Sequence, residues 1–134
     1  MSDEQILEGF GCENCWPSSL EGADAAWGAL TREADLIDES HFHVMIRACR
    51  SCSQRFLSIF TEMIDWVRGD DPQYWTLLPI TEVEAADLIR QGNSLTKQTL
   101  DSLGSGRRSL RHEHPKGKPP RTYWGTGILV GPHD

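Results

Sequence analysis

The cysteines are the residues whose spacing points most directly to chemistry. Cys12 and Cys15 form one Cys-x-x-Cys pair, Cys49 and Cys52 form a second, and together they account for all four cysteines of the chain. A two-residue spacer folds into a tight turn that brings both sulfur atoms onto one side of the backbone. Two such pairs can supply the four thiolates of a tetrahedral zinc site. The spacing therefore predicts one structural Zn²⁺ per chain.

Three other uses of the thiols remain open at the level of sequence. An iron site of the rubredoxin type would use the same four sulfur atoms. A redox dithiol usually occurs singly on a thioredoxin-like βαβ pattern, which the sequence does not show. Structural disulfides belong to oxidising compartments, whereas the acidic residues 1–11 do not resemble an export signal. Zinc is the preferred interpretation, ahead of iron.

The second cysteine pair also carries a resemblance to known proteins. The stretch from Cys49 to Phe56 resembles a zinc-ribbon knuckle, with an apolar residue four places after the last cysteine, where it can pack beneath the metal. Glycine commonly follows the second cysteine in that superfamily, whereas Ser53 and Trp16 occupy those positions here. The resemblance covers roughly residues 10–80 and identifies no single family. It implies a small antiparallel sheet stabilised by the metal.

The elements that must position the cysteines follow from hydrophobic periodicity. A helix is predicted over about residues 19–38, capped by Ser18 and Glu21, with Trp27 as its core anchor. Its apolar residues recur in steps of three or four: Leu20, Ala23, Trp27, Leu30, Ala34 and Ile37. Such a stripe is typical of a packed surface helix.

Three strands are predicted around the second pair, over residues 41–48, 54–66 and 73–80. The first alternates apolar and polar residues, and the third is an apolar run after a turn. Residues 54–66 suit a helix as well, which would bring the site closer to a treble clef, but their β-branched and aromatic content favours a strand.

Two further helices are predicted downstream. One begins after the capping box of Thr81 and Glu84, with Val83, Ala86, Leu88 and Ile89 on its apolar side, and another begins at Ser94. The predicted fold class is therefore α+β: a zinc-ribbon-like three-stranded antiparallel sheet with two or three packed helices. Residues 105–120 lack periodicity and are interpreted as a loop or extended arm.

The charges divide the chain into an acidic body and a basic end. The formal net charge is −7, with −11 in residues 1–106 and +4 in residues 107–134. We therefore expect a single zinc-stabilised α+β domain over residues 1–106 and a basic arm over residues 107–134, whose aromatic end docks on the body. The arm carries the candidate residues for an anionic partner: Arg107, Arg108, Arg111, Lys116, Lys118 and Arg121. The simpler alternative is that the arm lies across the acidic surface of the body.

Other polar clusters carry weaker signals. Asp65, Asp70 and Asp71 can be a Mg²⁺ site but are first of all turn residues. His41 and His43 lie two apart on a predicted strand, and residues 112–114 read His-Glu-His, yet surface roles are favoured for both groups. No apolar run is long enough to span a membrane, so we expect a soluble, cytoplasmic protein without a membrane partner.

Three functions are compatible with these observations. The preferred one is a non-enzymatic zinc-binding protein-interaction module, such as an adaptor, inhibitor or immunity-type protein, whose acidic body suits a basic partner. The first alternative is a nucleic-acid-associated zinc ribbon of transcription or translation that uses the basic arm, although the net charge opposes it. The second is an enzyme with an undetected second site.

Overall fold

The chain folds around one six-stranded antiparallel sheet. A computed structural model describes residues 10–17, 19–22 and 27–131. Each strand pairs with the next along the chain, in the order β1 to β6. The strands are β1 (Leu30–Glu39), β2 (Phe42–Cys49), β3 (Arg55–Glu62), β4 (Gln73–Ile80), β5 (Arg108–His114) and β6 (Arg121–Thr126). Two short helices, α1 (Glu82–Gln91) and α2 (Lys97–Ser102), lie in the connection between β4 and β5.

The predicted fold class is wrong in the size of the sheet and in its balance of helix and strand. The three strands predicted over residues 41–48, 54–66 and 73–80 are present as β2, β3 and β4, and residues 55–62 form a strand, not a helix. They are the middle of a six-stranded sheet, because β1 joins one side and β5 and β6 join the other. The described residues are therefore mostly β.

The helix predicted over residues 19–38 is wrong from residue 30 onwards, where β1 runs instead. Its register with β2 shifts twice, between Arg32 and Ala34 and between Asp35 and Ile37. Each irregularity adds a residue to the strand and interrupts its two-residue alternation. Its buried residues are Leu30 and Leu36, with Ala34 and Ile37 partly buried, so the strand shows no regular two-residue period. Ser18, the predicted cap, lies outside the described residues.

The interpretation of residues 105–120 as a loop or arm is wrong for β5, which lies inside the sheet between β4 and β6. Its sequence is Arg-Ser-Leu-Arg-His-Glu-His, and only Ser109 and Leu110 are buried. Neighbouring strands satisfy its backbone groups, so the strand forms without an apolar alternation. The division into residues 1–106 and 107–134 stays a prediction, although β5 and β6 lie beyond its boundary.

One face of the sheet, the helix face, is covered by α1, α2 and the segment that follows β6. The capping box of α1 is present as predicted: Thr81 accepts from the backbone N–H of Glu84, whose carboxylate accepts from the N–H of Thr81. Of the four residues predicted for its apolar side, only Leu88 is buried, whereas Val83 and Ile89 are exposed. The buried residues here include Val44, Ile46, Leu57, Ile59, Leu78, Ile80, Ala85, Leu88 and Leu100.

The opposite face, the knuckle face, has a second and smaller core at one end. It comprises Cys15, Trp16, Leu30, Cys49, Phe56, Leu77 and Leu110, with Phe10, Trp27 and Trp124 packed against it. We call this end the covered half, because residues 10–17 lie over it. The remainder of the same face carries His43, Phe60, Trp75 and His112, and we call it the open groove. No helix in the described part of the chain is both long and apolar enough to cross a bilayer.

Candidate metal centre

The hairpin between β2 and β3 positions the second cysteine pair. The backbone N–H of Cys49 donates to the carbonyl of Gln54 (2.9 Å), and that of Ser53 donates to the carbonyl of Cys49 (3.0 Å). Ser53 has a φ of +66°, in the left-handed region that favours glycine. Serine at this position therefore takes a backbone conformation that glycine adopts more easily.

The first cysteine pair lies outside the sheet, in a turn formed by residues 10–17. The backbone N–H groups of Cys15 and Trp16 donate to the carbonyl of Cys12, at 3.2 and 2.7 Å. Gly11 has a φ of +69°, and a Cβ there would lie 2.6 Å from Cβ of Trp16 and 2.9 Å from Sγ of Cys15. Glycine is required at this position both for the backbone conformation and for the close approach.

Two polar side chains join the turns to each other. The backbone N–H of Gly11 donates to Oε1 of Gln54 (3.1 Å), and Nδ2 of Asn14 donates to Oγ of Ser51 (3.2 Å). Nε2 of Gln54 in turn donates to the carbonyls of Arg55 and Ile80, both at 2.8 Å. Gln54 thus connects the first turn to β3 and β4. Neither Gln54 nor Asn14 could be identified from sequence, since both lie in ordinary turn contexts.

The four sulfur atoms meet at one point, with all four Sγ atoms within 4.8 Å of one another. Sγ of Cys12 lies 3.8 Å from those of Cys15 and Cys49, and Sγ of Cys15 lies 3.7 Å from that of Cys52. A tetrahedron with four Zn–S bonds of about 2.3 Å has sulfur atoms about 3.8 Å apart. The donor set therefore fits a tetrahedral metal ion, and all four cysteines are free of disulfides.

Backbone N–H groups around the site stabilise negative charge on sulfur. Burial on its own raises the pKa of Cys49, but hydrogen bonds from the backbone of Cys52 and Ser51 lower that pKa to about 7. The pKa of Cys15 is raised, chiefly because its thiol is desolvated by burial. A metal ion supplies the positive charge that a buried thiolate otherwise lacks. Cys49 is therefore the thiol best prepared to lose its proton first.

Aromatic residues enclose the first turn on its sheet side. Trp16 is only 6% exposed, and its ring lies 5.4 Å from that of Phe56 and 5.2 Å from that of Trp124. The guanidinium of Arg108 lies 4.0 Å from the centre of the Trp124 ring and 5.2 Å from that of Trp16. Phe56 thus packs against the first turn as expected. Arg108 and Trp124 belong to β5 and β6, which were not predicted as strands, so their contributions could not be predicted either.

The residues of the predicted basic arm are distributed over several intramolecular contacts. Arg107 bonds the carboxylate of Glu84 at 2.8 Å, and Nη2 of Arg111 donates to the carbonyl of Thr126 at 2.6 Å. Lys116 pairs with Asp65 (3.0 Å), and Arg121 pairs with Glu113 (3.1 Å). Lys118 is exposed. The structure does not gather these six residues into one patch, and their role toward an anionic partner stays a prediction.

The other candidate clusters are also engaged in local contacts. Oδ1 of Asp65 accepts from the backbone N–H groups of Val67 and Arg68, and Oδ1 of Asp71 accepts from that of Asp65. These contacts are those of an ordered turn. His41 lies beside Glu62 (3.3 Å) and His43 beside Asp38 (3.1 Å). In the described residues, the four cysteines are the one cluster with the geometry of a metal site.

Comparisons with protein-family models, with curated proteins and with solved structures found no match. What the geometry of the chain establishes is a cluster of four thiols that can hold a metal ion.

Proposed function

We propose that the protein is a zinc-stabilised, non-enzymatic binding module. The observation that carries the metal part is the separation of 3.7–3.8 Å between neighbouring sulfur atoms of two distant cysteine pairs. Four thiolates fill the tetrahedral coordination of Zn²⁺ and leave no open position for a water or a substrate. The same four sulfurs suit iron, but zinc is the usual occupant of such structural sites.

The zinc ion has a structural task in this arrangement. Cys49 and Cys52 belong to a hairpin whose backbone is already fixed by the sheet, whereas Cys12 and Cys15 belong to a turn outside it. A shared ion ties the outer turn to the hairpin, and with it Trp16 to the covered half. Metal-binding free energy then becomes folding free energy for residues 10–17.

Native mass spectrometry combined with elemental analysis tests the metal assignment. We expect one zinc ion per chain in protein purified without added metal, and none in a variant with all four cysteines changed to serine. A Ser58→Ala variant serves as a control, because it removes a buried hydroxyl away from the site. Wild-type protein that carries no metal after reconstitution with Zn²⁺, or that carries iron instead, would contradict the proposal.

The binding part of the proposal is supported by the loop between β3 and β4. Trp66 is 86% exposed and Val67 is 91% exposed, although apolar side chains of this size are usually removed from water. The loop is held by the hydrogen bonds of Asp65 and by a bond from the backbone N–H of Gly117 to Oδ2 of Asp70 (2.7 Å). A tryptophan presented on a fixed turn is a common anchor of protein–protein contacts.

A variant series can test whether this loop binds a protein partner. Immobilised wild-type chain, a Trp66→Ser/Val67→Ser double variant and a Val83→Ser control would be exposed to lysate over a range of salt concentrations. Val83 is 80% exposed on α1, outside the loop, so its variant removes an exposed apolar side chain elsewhere on the surface. We expect a specific set of proteins to remain on the wild type and the control but not on the double variant. Identical sets on all three would contradict a role for the loop.

The acidic body suits a basic partner, as the net charge of −7 indicates. Attraction of that kind accelerates association more than it increases affinity. Retention in the same experiment should therefore weaken as salt is added.

A further inference from the structure

The open groove on the knuckle face has the features of a ligand site that is separate from the metal centre. A cleft of about 340 Å³ is lined by Trp27, Arg47, Trp75 and His112. A second cleft of about 550 Å³ shares Arg47 and Trp75 with the first and extends to His43 and Phe60. Small-molecule sites usually measure about 300–1,000 Å³. The two clefts are therefore adjoining parts of one groove of suitable size.

A row of aromatic rings forms the floor of the groove. His43, Phe60, Trp75 and His112 come from four successive strands and are register partners of one another. Neighbouring ring centres are 5.8, 5.0 and 5.2 Å apart along the row. All four residues are only partly buried, so their rings remain accessible. The rings are tilted against one another by 31–57°, so a planar ligand can stack on an individual ring of the row rather than across all four.

Arg47 supplies a positive charge in this groove that no group of the described chain neutralises by direct contact. Its Nε is buried and has no hydrogen-bond partner among the described residues, and Arg47 forms no ion pair there. The residue opposite Arg47 on β1 is Arg32, whose own partner is Asp35 at 3.3 Å. Like charges directly opposite on neighbouring strands destabilise a sheet, and a half-buried guanidinium without an anion is costly.

Burial and the charge of Arg32 lower the pKa of Arg47, against a smaller opposing effect of Asp35. Both effects disfavour the positive charge that the residue carries. An anionic group placed beside Arg47 would reverse them, because it would supply the missing partner and offset the repulsion from Arg32.

We propose that the open groove binds a small molecule with a flat aromatic body and one anionic group. The body stacks on the ring of Trp75, beside Phe60, and the anion pairs with Arg47. Among the described residues that line the groove, Arg32 pairs with Asp35, whereas Arg47 has no ion-pair partner. One guanidinium matches one anionic group, whereas a nucleic-acid strand presents a phosphate at every nucleotide. The acidic groups Asp35 and Asp38, which also line the second cleft, further disfavour a polyanion.

Paired probes test this assignment. Isothermal titration calorimetry would compare 2-naphthoate with the neutral 2-naphthamide on metal-loaded full-length protein. We expect naphthoate to bind roughly 10- to 100-fold more tightly, the range for a charge-assisted hydrogen bond. An Arg47→Met variant should lose that difference in affinity and leave naphthamide binding unchanged. The control is Arg68→Met, which removes an exposed arginine on the β3–β4 loop and should bind both probes as the wild type does.

A Trp75→Leu variant provides a second test that does not depend on Arg47. This variant should weaken the binding of both probes to a similar extent, because both stack on the same ring. In the wild type, the NMR signal of the Trp75 indole N–H should shift when a probe binds. Equal affinity of the two probes, no binding of either, or unchanged naphthoate binding by a folded Arg47→Met variant would overturn the proposal. If an oligo-dT strand shifts the Trp75 signal and binds more tightly than naphthoate, the groove would instead be a nucleic-acid surface. Zinc content, measured on the same samples, would show whether a loss of probe binding comes from a loss of the metal.

Discussion

The covered half and the open groove lie on the same face of one sheet but differ in what stands over them. In the covered half, Trp16 closes the core and is 6% exposed. In the open groove, Trp75 is part of β4 itself, and no described segment covers it as residues 10–17 cover the other half, so it remains partly accessible. The difference arises from residues 10–17, whose two cysteines meet Cys49 and Cys52 over one half. The position of this turn therefore decides which aromatic residues are closed off and which stay accessible.

Truncation of the two tryptophans should show the largest contrast. We expect Trp16→Ala to reduce the free energy of unfolding by about 3–5 kcal/mol, because it opens a cavity in a closed core. Trp75→Ala should cost only about 1–2 kcal/mol, mostly from lost ring contacts. Denaturant titration of both variants provides the measurement. Equal losses would mean that the two halves are equally closed in solution.

The close approach at Gly11 can be tested with a matched glycine. Gly11→Ala places a methyl group against Trp16 and Cys15 at a φ of +69°, and should cost about 2–4 kcal/mol. Gly69→Ala is the control, since Gly69 has a φ of +70° with nothing within 4 Å of the added Cβ. It should cost only about 1–2 kcal/mol. Thermal unfolding and zinc affinity of both variants would measure the difference, and similar losses would contradict the packing described for the first turn.

An ion pair links the covered half to the helix layer and makes that link sensitive to pH. Arg107 bonds the Glu84 carboxylate at 2.8 Å, and its guanidinium lies 4.9 Å from the centre of the Phe10 ring. Burial alone raises the pKa of Glu84, but the bonds from Arg107 lower it below its usual value. A lowered carboxyl pKa stabilises the fold above the unfolded value of about 4.3, and this stabilisation is lost as the pH falls through the folded value.

Glu84→Gln should therefore cost about 1 kcal/mol at neutral pH and progressively less in acid. Glutamine keeps one side-chain oxygen for the capping box of α1, so the variant removes the charge and one of the two acceptors for Arg107. Urea unfolding between pH 7 and pH 3 would measure the effect, with Glu82→Gln, a largely exposed residue of the same helix, as the control. A cost that does not diminish at low pH would show that the ion pair is not its origin.

The smallest effect is expected at Ser53. Ser53→Gly relieves a left-handed conformation, which should raise stability by up to about 1 kcal/mol, less the extra freedom of glycine in the unfolded chain. Ser53→Val should lower stability, because a β-branched residue tolerates that conformation poorly. Ser105→Gly, at an exposed position without a positive φ, is the control and should be neutral or destabilising. If the Ser53→Val variant were more stable than the Ser53→Gly variant, the assigned backbone geometry would be contradicted.

The sequence was sufficient where the signals were local. The cysteine spacing, the capping box of Thr81 and Glu84, and strands β2 to β4 all follow from patterns within a few residues. The helix predicted across β1 failed because two register shifts changed the period of its inward residues. Strand β5 was missed because its pairing with β4 and β6, and not its composition, makes it a strand.

The open groove could not be predicted from the sequence for the same reason. His43, Phe60, Trp75 and His112 are scattered over 70 residues and become neighbours only through the register of three strand pairs. The position of Arg47 on the open groove, opposite Arg32, depends on how β1 and β2 align.

Hydrogen exchange with and without metal tests the central claim most directly. If one zinc ion holds the first turn on the sheet, removing it with a chelator should expose the backbone amides of residues 10–17 to exchange. The amides of β3 and β4 should stay protected, because the core of the helix face does not depend on the ion, and adding Zn²⁺ back should restore the original pattern. Equal protection of residues 10–17 in metal-free and zinc-loaded protein would contradict the account.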